Sequence, residues 1–461
     1  MGRRGRRMDL ADTFAKFVVH TEFNDVDESV IEYVKKLTLK QVMGMVLGSA
    51  APTSKKLIRY ARDNLGRSEC GVYGCGFRTD VAQAALLNGF FAHASEMEDD
   101  QFPGGGISDC TTWPALLTAA EKCKLSGQET IVALYVGQEM QNRIAMWAGV
   151  VTEPLGIANL PFIGIYGATA CCARAFELTE KETKASFGLA MVQGLGYIHT
   201  WGTDAHFWES ATVCRNAVLN SIMAKNGATS NPAIEKCLDM LGGGHGEIQF
   251  DKMTEGLGKP PFYTNYTWIK KWGFCFQNHN FVDNLSDLMR EKKVKHEDIE
   301  EVVVHFDELR FILDRPEPKN AEDSRFSIHH ILAYQMIHGE CGLETNTEKA
   351  VRDPRIAEAR KKVKIVYHPE YPKRYYAGEG RLDLKLKNGK TLTGFMDQPY
   401  GGPKYPLTMD QVVDIYRRYC RGILPDDQIE HTKDIIMNME NEPDLQELFD
   451  ICTFRHLRGV T

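Results

Sequence analysis

The chain has 461 residues, 43% of them hydrophobic and 25% charged, with a formal net charge of -7. Those values suit a globular chain of about two domains. They speak against nucleic-acid binding, because an acidic chain without a basic, aromatic-rich stripe has no footprint for phosphate.

The opening MGRRGRRMDLADTF carries a basic cluster with no apolar stretch behind it, so no secretory signal is expected. No run reaches the length of a membrane span. Twelve cysteines occur without CxxC pairing, which points to free thiols in a reducing, cytoplasmic setting.

From Leu10 to about residue 255, apolar residues recur at three and four. ADTFAKFVVH, ESVIEYVKKLTLKQVMGMVLGSA, DVAQAALLNGFFAHA and QETIVALYVGQEMQNRIAMWAG each predict a helix. GIYGATACCARAFELTEKE is rich in Gly, Ala and Cys, as a helix in a crowded core is. Asn231-Pro232 and GGGHGE break the pattern. After about residue 262, EEVVVHF, VKIVYHP and GRLDLKLKNGKTLTGFMD read as strands, with Asn388-Gly389 as a hairpin turn. SRFSIHHILAYQMIHG between them is helical, and helical periodicity returns after Pro406. The predicted fold is mainly α: an all-helical domain of residues 1–262 and 405–461, with a smaller α+β domain of residues 263–404 inserted. Clefts between domains favour small-molecule sites.

The stretch NGFFAHASEMEDDQFPGGGISDCTTWPALLTAAE is the most informative. His93, Glu96 and Asp100 fall at i, i+3 and i+7, so a continuing helix would put them on one face, with Asp99 beside them. Apolar flanks hold these acids inside the domain, where crowded carboxylates and a histidine have shifted pKa values. A solvated acidic helix end is the plainer alternative. GYIHTWGTDAHFWESATVCRN adds Trp201, His206 and Glu209, and WIKKWGFCFQNHNF adds Lys270 and His279. His330 stands in a helix. Each histidine alone is more often structural than catalytic; together with the acids they supply general acids and bases near neutral pH. HExxH, Walker A and GxSxG signatures are absent.

Taken in order, these segments resemble the MmgE/PrpD superfamily. Its NG..AHALDFDD block is matched by Asn88-Gly89, Ala92-His93 and EMEDD. GTAGAFGAAAAAARLLGL is echoed in GIYGATACCARAFEL, K.YPCC..TH in KKWGFCFQNH, ARFSLPY in SRFSIHH, and PRGDPENPLT in QPYGGPKYPLT. The resemblance covers nearly the whole chain. It implies a helical domain with an α+β lid domain, a homodimer, and cofactor-independent lyase or isomerase chemistry on small carboxylic acids. The shared step is proton transfer at a carbon beside a carboxylate, giving dehydration, decarboxylation or epimerisation.

The departures lie in the pocket. Glu96 replaces the family's first aspartate, and Asp100 stands where the family's third acidic position is followed by threonine. His206 replaces a lysine, Glu209 a histidine and His330 an aromatic, while Lys270 and His279 persist. A lost lysine and gained acids disfavour a tricarboxylate, so a small acid with fewer carboxylates, or an amino acid, is expected as substrate. His206, His279, Glu96 and Asp100 are the expected catalytic residues. Lys270, His330, Glu209, Trp201 and His93 are expected to bind substrate. Two alternatives stay open: a metal-dependent lyase using Glu96, Asp100, His206 and Glu209, and a non-catalytic ligand-binding homologue.

Overall fold

The computed structural model describes residues 9–101, 104, 106–107, 109–148, 156–242, 248–371 and 380–453. The stretch 243–247 of GGGHGE, and residues 105 and 108 of GGGISDC, lie outside them. The chain is mainly helical, with a small mixed sheet in its C-terminal region. It divides into two compact units. One comprises Met1–His199, Asp204–Thr267 and Thr408–Thr461; the other comprises Thr200–Thr203 and Trp268–Leu407. Among the described residues, no helix is long and apolar enough to cross a membrane.

In the helical unit, small residues set how closely helices approach. Gly89 lies in the helix Val81–Ala94 and faces the helix Asp204–Lys225, where an added Cβ would stand 2.7 Å from Cys214 Sγ and 3.1 Å from the Ser210 carbonyl. Gly48 does the same for the helix Glu28–Ser49, whose backbone meets the carbonyl of Phe91. Side chains there would force the helices apart. Pro114 sits inside the helix Asp109–Cys123. Having no N–H, a proline leaves the carbonyl four residues earlier without its helical partner. That carbonyl, of Cys110, accepts from Ser210 Oγ and from Cys214 Sγ, so the Asp204–Lys225 helix docks onto the gap.

Two expectations need correction here. The region before residue 255 is not helical throughout: Cys70–Val72 and Phe77–Thr79 pair as an antiparallel hairpin. Asn88 pins it, accepting from the Tyr73 amide at 3.0 Å and donating to the Gly71 carbonyl at 3.1 Å. Nor do His93, Glu96 and Asp100 share one helix. The helix ends at Ala94, Glu96 takes a left-handed φ of 55°, and Asp100 belongs to the two-residue strand Asp100–Gln101. The acidic run therefore leaves the helix axis just where the helical pattern would carry it forward.

In the second unit, Ile299–Phe306 lies between Val363–Tyr367, to which it is parallel, and Gly380–Leu386, to which it is antiparallel; Thr391–Met396 completes the sheet. Gly389, at φ 81°, is the left-handed residue that follows the turn, and its amide donates to the Leu386 carbonyl at 2.9 Å. Asn388 has no positive φ, so the hairpin is of the longer kind that ends on a left-handed glycine rather than type I′. Val302, Val304, Phe306, Leu382 and Leu384 face a core closed by Phe281, Val282 and Leu285 of the helix His279–Lys292 and by Ile331 and Leu332 of Ile328–His338.

Candidate active site in the helical unit

The close crossing at Gly89 and Ser210 has a direct consequence. His93 lies one turn beyond Gly89, and His206 lies one turn before Ser210, so the same crossing brings the two imidazoles together. Their ring centroids are 4.1 Å apart, edge to face. His93 is fully buried, and His206 and Glu96 are 5% and 1% exposed. The left-handed turn at Glu96, tied by its amide to the His93 carbonyl at 3.0 Å, directs the carboxylate back toward the histidines. Glu96 Oε1 stands 3.7 Å from His206 Nε2. On the other side of the same ring, Glu209 Oε2 stands 3.5 Å from Nδ1. Gly196 makes room for that carboxylate, since a Cβ there would lie 2.8 Å from Glu209 Oε1. His93, Glu96 and His206 each offer a ligand atom within 4.8 Å of the others. An imidazole between two carboxylates is suited to taking and returning a proton: one acid orients the ring while the other shares the proton.

A second set of buried charges stands nearby in sequence. Asp99 and Asp109 bond reciprocally, each amide donating to the other's carboxylate at 2.8 and 3.0 Å. Asp109 is paired with the fully buried Lys40 and accepts from Gln41 Nε2 at 2.6 Å. Gln138 donates to Asp99 at 3.3 Å and to Thr267 Oγ1 at 2.8 Å. Burial, then the charge of Asp99, push the Asp109 carboxyl up to about 8, with Lys40 opposing. Two carboxylates and one ammonium without water are balanced when one proton stays on the acids. Sequence reading missed Lys40, Gln41, Asp109 and Gln138; the cue was polar residues on helix faces otherwise apolar.

The remaining expected site residues divide. Asp100 is buried, but its carboxylate accepts from the Gln101 amide at 2.8 Å, and it is not part of the His93–Glu96–His206 group. Asp204, next to His206 in sequence, turns to Lys56 and to Thr53 Oγ1. Trp201 belongs to the second unit, where it stacks on Phe326 with centroids 6.3 Å apart. His279 is 1% exposed and packed among Trp272, Phe274 and Phe276. Burial first, and then the charge of Lys270, hold its pKa well below the ordinary value, so it is a neutral imidazole with Lys270 close by.

The substrate-binding role expected of His330 has no support in this geometry. Its Nε2 meets the Thr345 carbonyl at 2.7 Å, and Nδ1 faces the Arg360 guanidinium at 3.5 Å. Burial depresses its pKa to about 4. A helix-start histidine with both nitrogens turned to protein groups is a packing residue, and the sequence carries no mark of that difference.

Comparison with known proteins gives the family. The MmgE/PrpD N-terminal domain model matches residues 12–237, and the C-terminal domain model matches residues 272–441. The chain belongs to the MmgE/PrpD family. It is 24% identical to a cis-aconitate decarboxylase-like protein of Aspergillus oryzae, over 95% of this chain and 96% of that one. It is 21% identical to the cis-aconitate decarboxylase of Mus musculus, over 95% and 92%. A mitochondrial 2-methylcitrate dehydratase of Yarrowia lipolytica is 22% identical over 71% of this chain and 66% of its own. These relatives are named as lyases of small carboxylic acids.

Proposed function

We propose that this MmgE/PrpD chain is a cofactor-independent lyase or isomerase that moves a proton at a carbon α or β to a carboxylate of a small organic or amino acid. The observation that carries the reading is the His206 ring held between Glu96 and Glu209, with the His93 ring against it and all four side chains buried. Glu209 orients the ring through Nδ1. The face toward Glu96 exchanges the proton, and His93, packed against the ring, shields that exchange from water. Within the second unit, Lys270 and His279 stand together as a cation beside a neutral imidazole. The acids around His206 support a substrate with fewer carboxylates than cis-aconitate, or one bearing an amine, because like charges repel in a poorly solvated site.

Proton abstraction can be read without knowing the product. The purified chain is incubated in heavy water with cis-aconitate, 2-methylcitrate and a panel of smaller mono- and dicarboxylic and amino acids, and deuterium incorporation at carbon is followed by NMR. Exchange at a carbon adjacent to a carboxylate, lost in His206→Ala, is the expected result. A folded chain that exchanges none of these acids would instead favour the ligand-binding reading.

A homodimer is part of the same proposal. The helix Asp204–Lys225 exposes Trp208, Leu219 and Met223 along one side, and Val192 and Leu195 are exposed just before it. A monomer in sedimentation at micromolar concentration would remove this part.

A further inference from the structure

We infer that the helical unit binds one divalent transition-metal ion, of the zinc type, through His93, Glu96 and His206. The three side chains come from two helices and the turn between helix and strand, and each is at least nine-tenths buried. Their ligand atoms lie within 4.8 Å of one another. Two imidazoles and one carboxylate are a donor set that borderline divalent ions favour, with a fourth position left open.

The separations are informative in themselves. His206 Nε2 and Glu96 Oε1 are 3.7 Å apart, longer than a hydrogen bond. Two ligands of one tetrahedral ion, each about 2.1 Å from it, stand about 3.4 Å apart. The outer contact also fits. Metal-bound histidines usually turn their other nitrogen to a carboxylate, which fixes the tautomer and raises the ring's basicity. His206 presents Nδ1 to Glu209 at 3.5 Å while Nε2 faces Glu96. The ligand set differs from the acid-rich one expected from sequence, because His93 takes the place given there to Asp100.

Binding does not depend on the catalytic proposal. One consequence does: the ion takes the lone pairs that proton transfer needs, so saturating zinc should stop deuterium exchange.

The full chain is stripped with a chelator, shown to stay folded by circular dichroism, and titrated with cobalt(II). Expected are one ion per chain and the visible absorption of four- or five-coordinate cobalt, displaced by zinc. His93→Ala and His206→Ala should each abolish that absorption, while Glu209→Gln should weaken binding about ten- to a hundredfold. If an alanine variant does not fold, the wild-type chain still decides, through one cobalt ion bound per chain and its displacement by zinc. A folded wild-type chain that takes up no cobalt overturns the inference. So does binding that survives in a folded His206→Ala variant. Metal-free protein that catalyses exchange but binds no cobalt would sink this inference alone. Cobalt binding without exchange under any condition would sink the catalytic reading alone.

Discussion

Two buried charge clusters in the helical unit contain similar groups and are built differently. Glu139 and Arg143 lie one turn apart in the helix Gly127–Ala148 and meet at 2.8 Å. The other oxygen of Glu139 accepts from the amide and the hydroxyl of Thr264 at 2.9 and 3.0 Å, and Arg143 donates to the carbonyls of Glu255 and Gly256 at 2.7 and 3.1 Å. Every one of these contacts has hydrogen-bond length, and together they fasten the segment 253–264 to the helix. Around His206 the approaches are 3.5 and 3.7 Å, and the carboxylate of Glu96 is delivered by a left-handed residue. The first cluster spends its charges on holding the chain. The second keeps 3.5 and 3.7 Å between its groups, the spacing on which the proposed proton transfer rests. Burial is common to both clusters, so the proposal draws its line between structural and chemical charge by spacing.

The largest effect that would sharpen this contrast is on exchange. His206→Ala should cut deuterium incorporation by about a hundredfold or more, counted per folded chain. His206→Lys should be no better, because a fixed cation cannot return a proton at neutral pH. If the lysine variant kept the wild-type rate and pH profile, His206 would be an anchor for negative charge, and both clusters would be structural.

Arg143→Met tests the other side. It leaves Glu139 buried without its guanidinium, a loss of the order of 3–5 kcal/mol, measured by urea unfolding. Any activity lost should return once the fraction folded is taken into account. A stable variant with impaired exchange would place Arg143 in the chemistry instead.

The Lys40–Asp109 pair lies between these cases and gives a pH signature. Burial and Asp99 raise the Asp109 pKa to about 8, so between about pH 4 and that value the folded chain keeps a proton the unfolded chain releases. By linkage, that stabilisation is complete below the unfolded carboxylate pKa and is lost as pH rises through the folded one. Asp109→Asn should flatten the fall of unfolding free energy with rising pH across this window. An unchanged slope would mean that Asp109 is ionised throughout and simply paired with Lys40.

How much of this was legible beforehand follows from what each feature depends on. The mainly helical fold and the Asn388-Gly389 turn rest on local periodicity and turn chemistry, which one sequence displays. EEVVVHF reads as a strand for the same reason, and its neighbour VKIVYHP does too, although their parallel pairing does not follow from either. The Cys70–Thr79 hairpin is too short to show alternation. The meeting of His93 with His206 depends on Gly89 and Ser210 facing each other, a tertiary fact that the family block hints at only by containing a glycine there. Buried polar groups such as Lys40 and Gln138 look, in a helical pattern, like a solvated stripe. Glu96 was read as continuing a helix because side-chain spacing says nothing about the sign of φ.

That last residue offers the smallest and most discriminating test. Four described non-glycine residues have positive φ: Lys124, Glu177 and Lys293 are exposed, whereas Glu96 is 1% exposed. A left-handed conformation costs an ordinary residue about 1–2 kcal/mol, which glycine avoids while losing some of that gain to its freer unfolded chain. Glu177→Gly, at φ 53° on the surface, measures this backbone contribution by itself and should stabilise by a few tenths to about 1 kcal/mol. Glu96→Gly removes the same backbone strain and should abolish exchange. A glutamate kept where glycine would be more stable is a residue held for its side chain. Should Glu96→Gly destabilise the chain while Glu177→Gly stabilises it, the Glu96 carboxylate would be a structural partner of the kind Glu139 is, and the distinction between the two clusters would not stand.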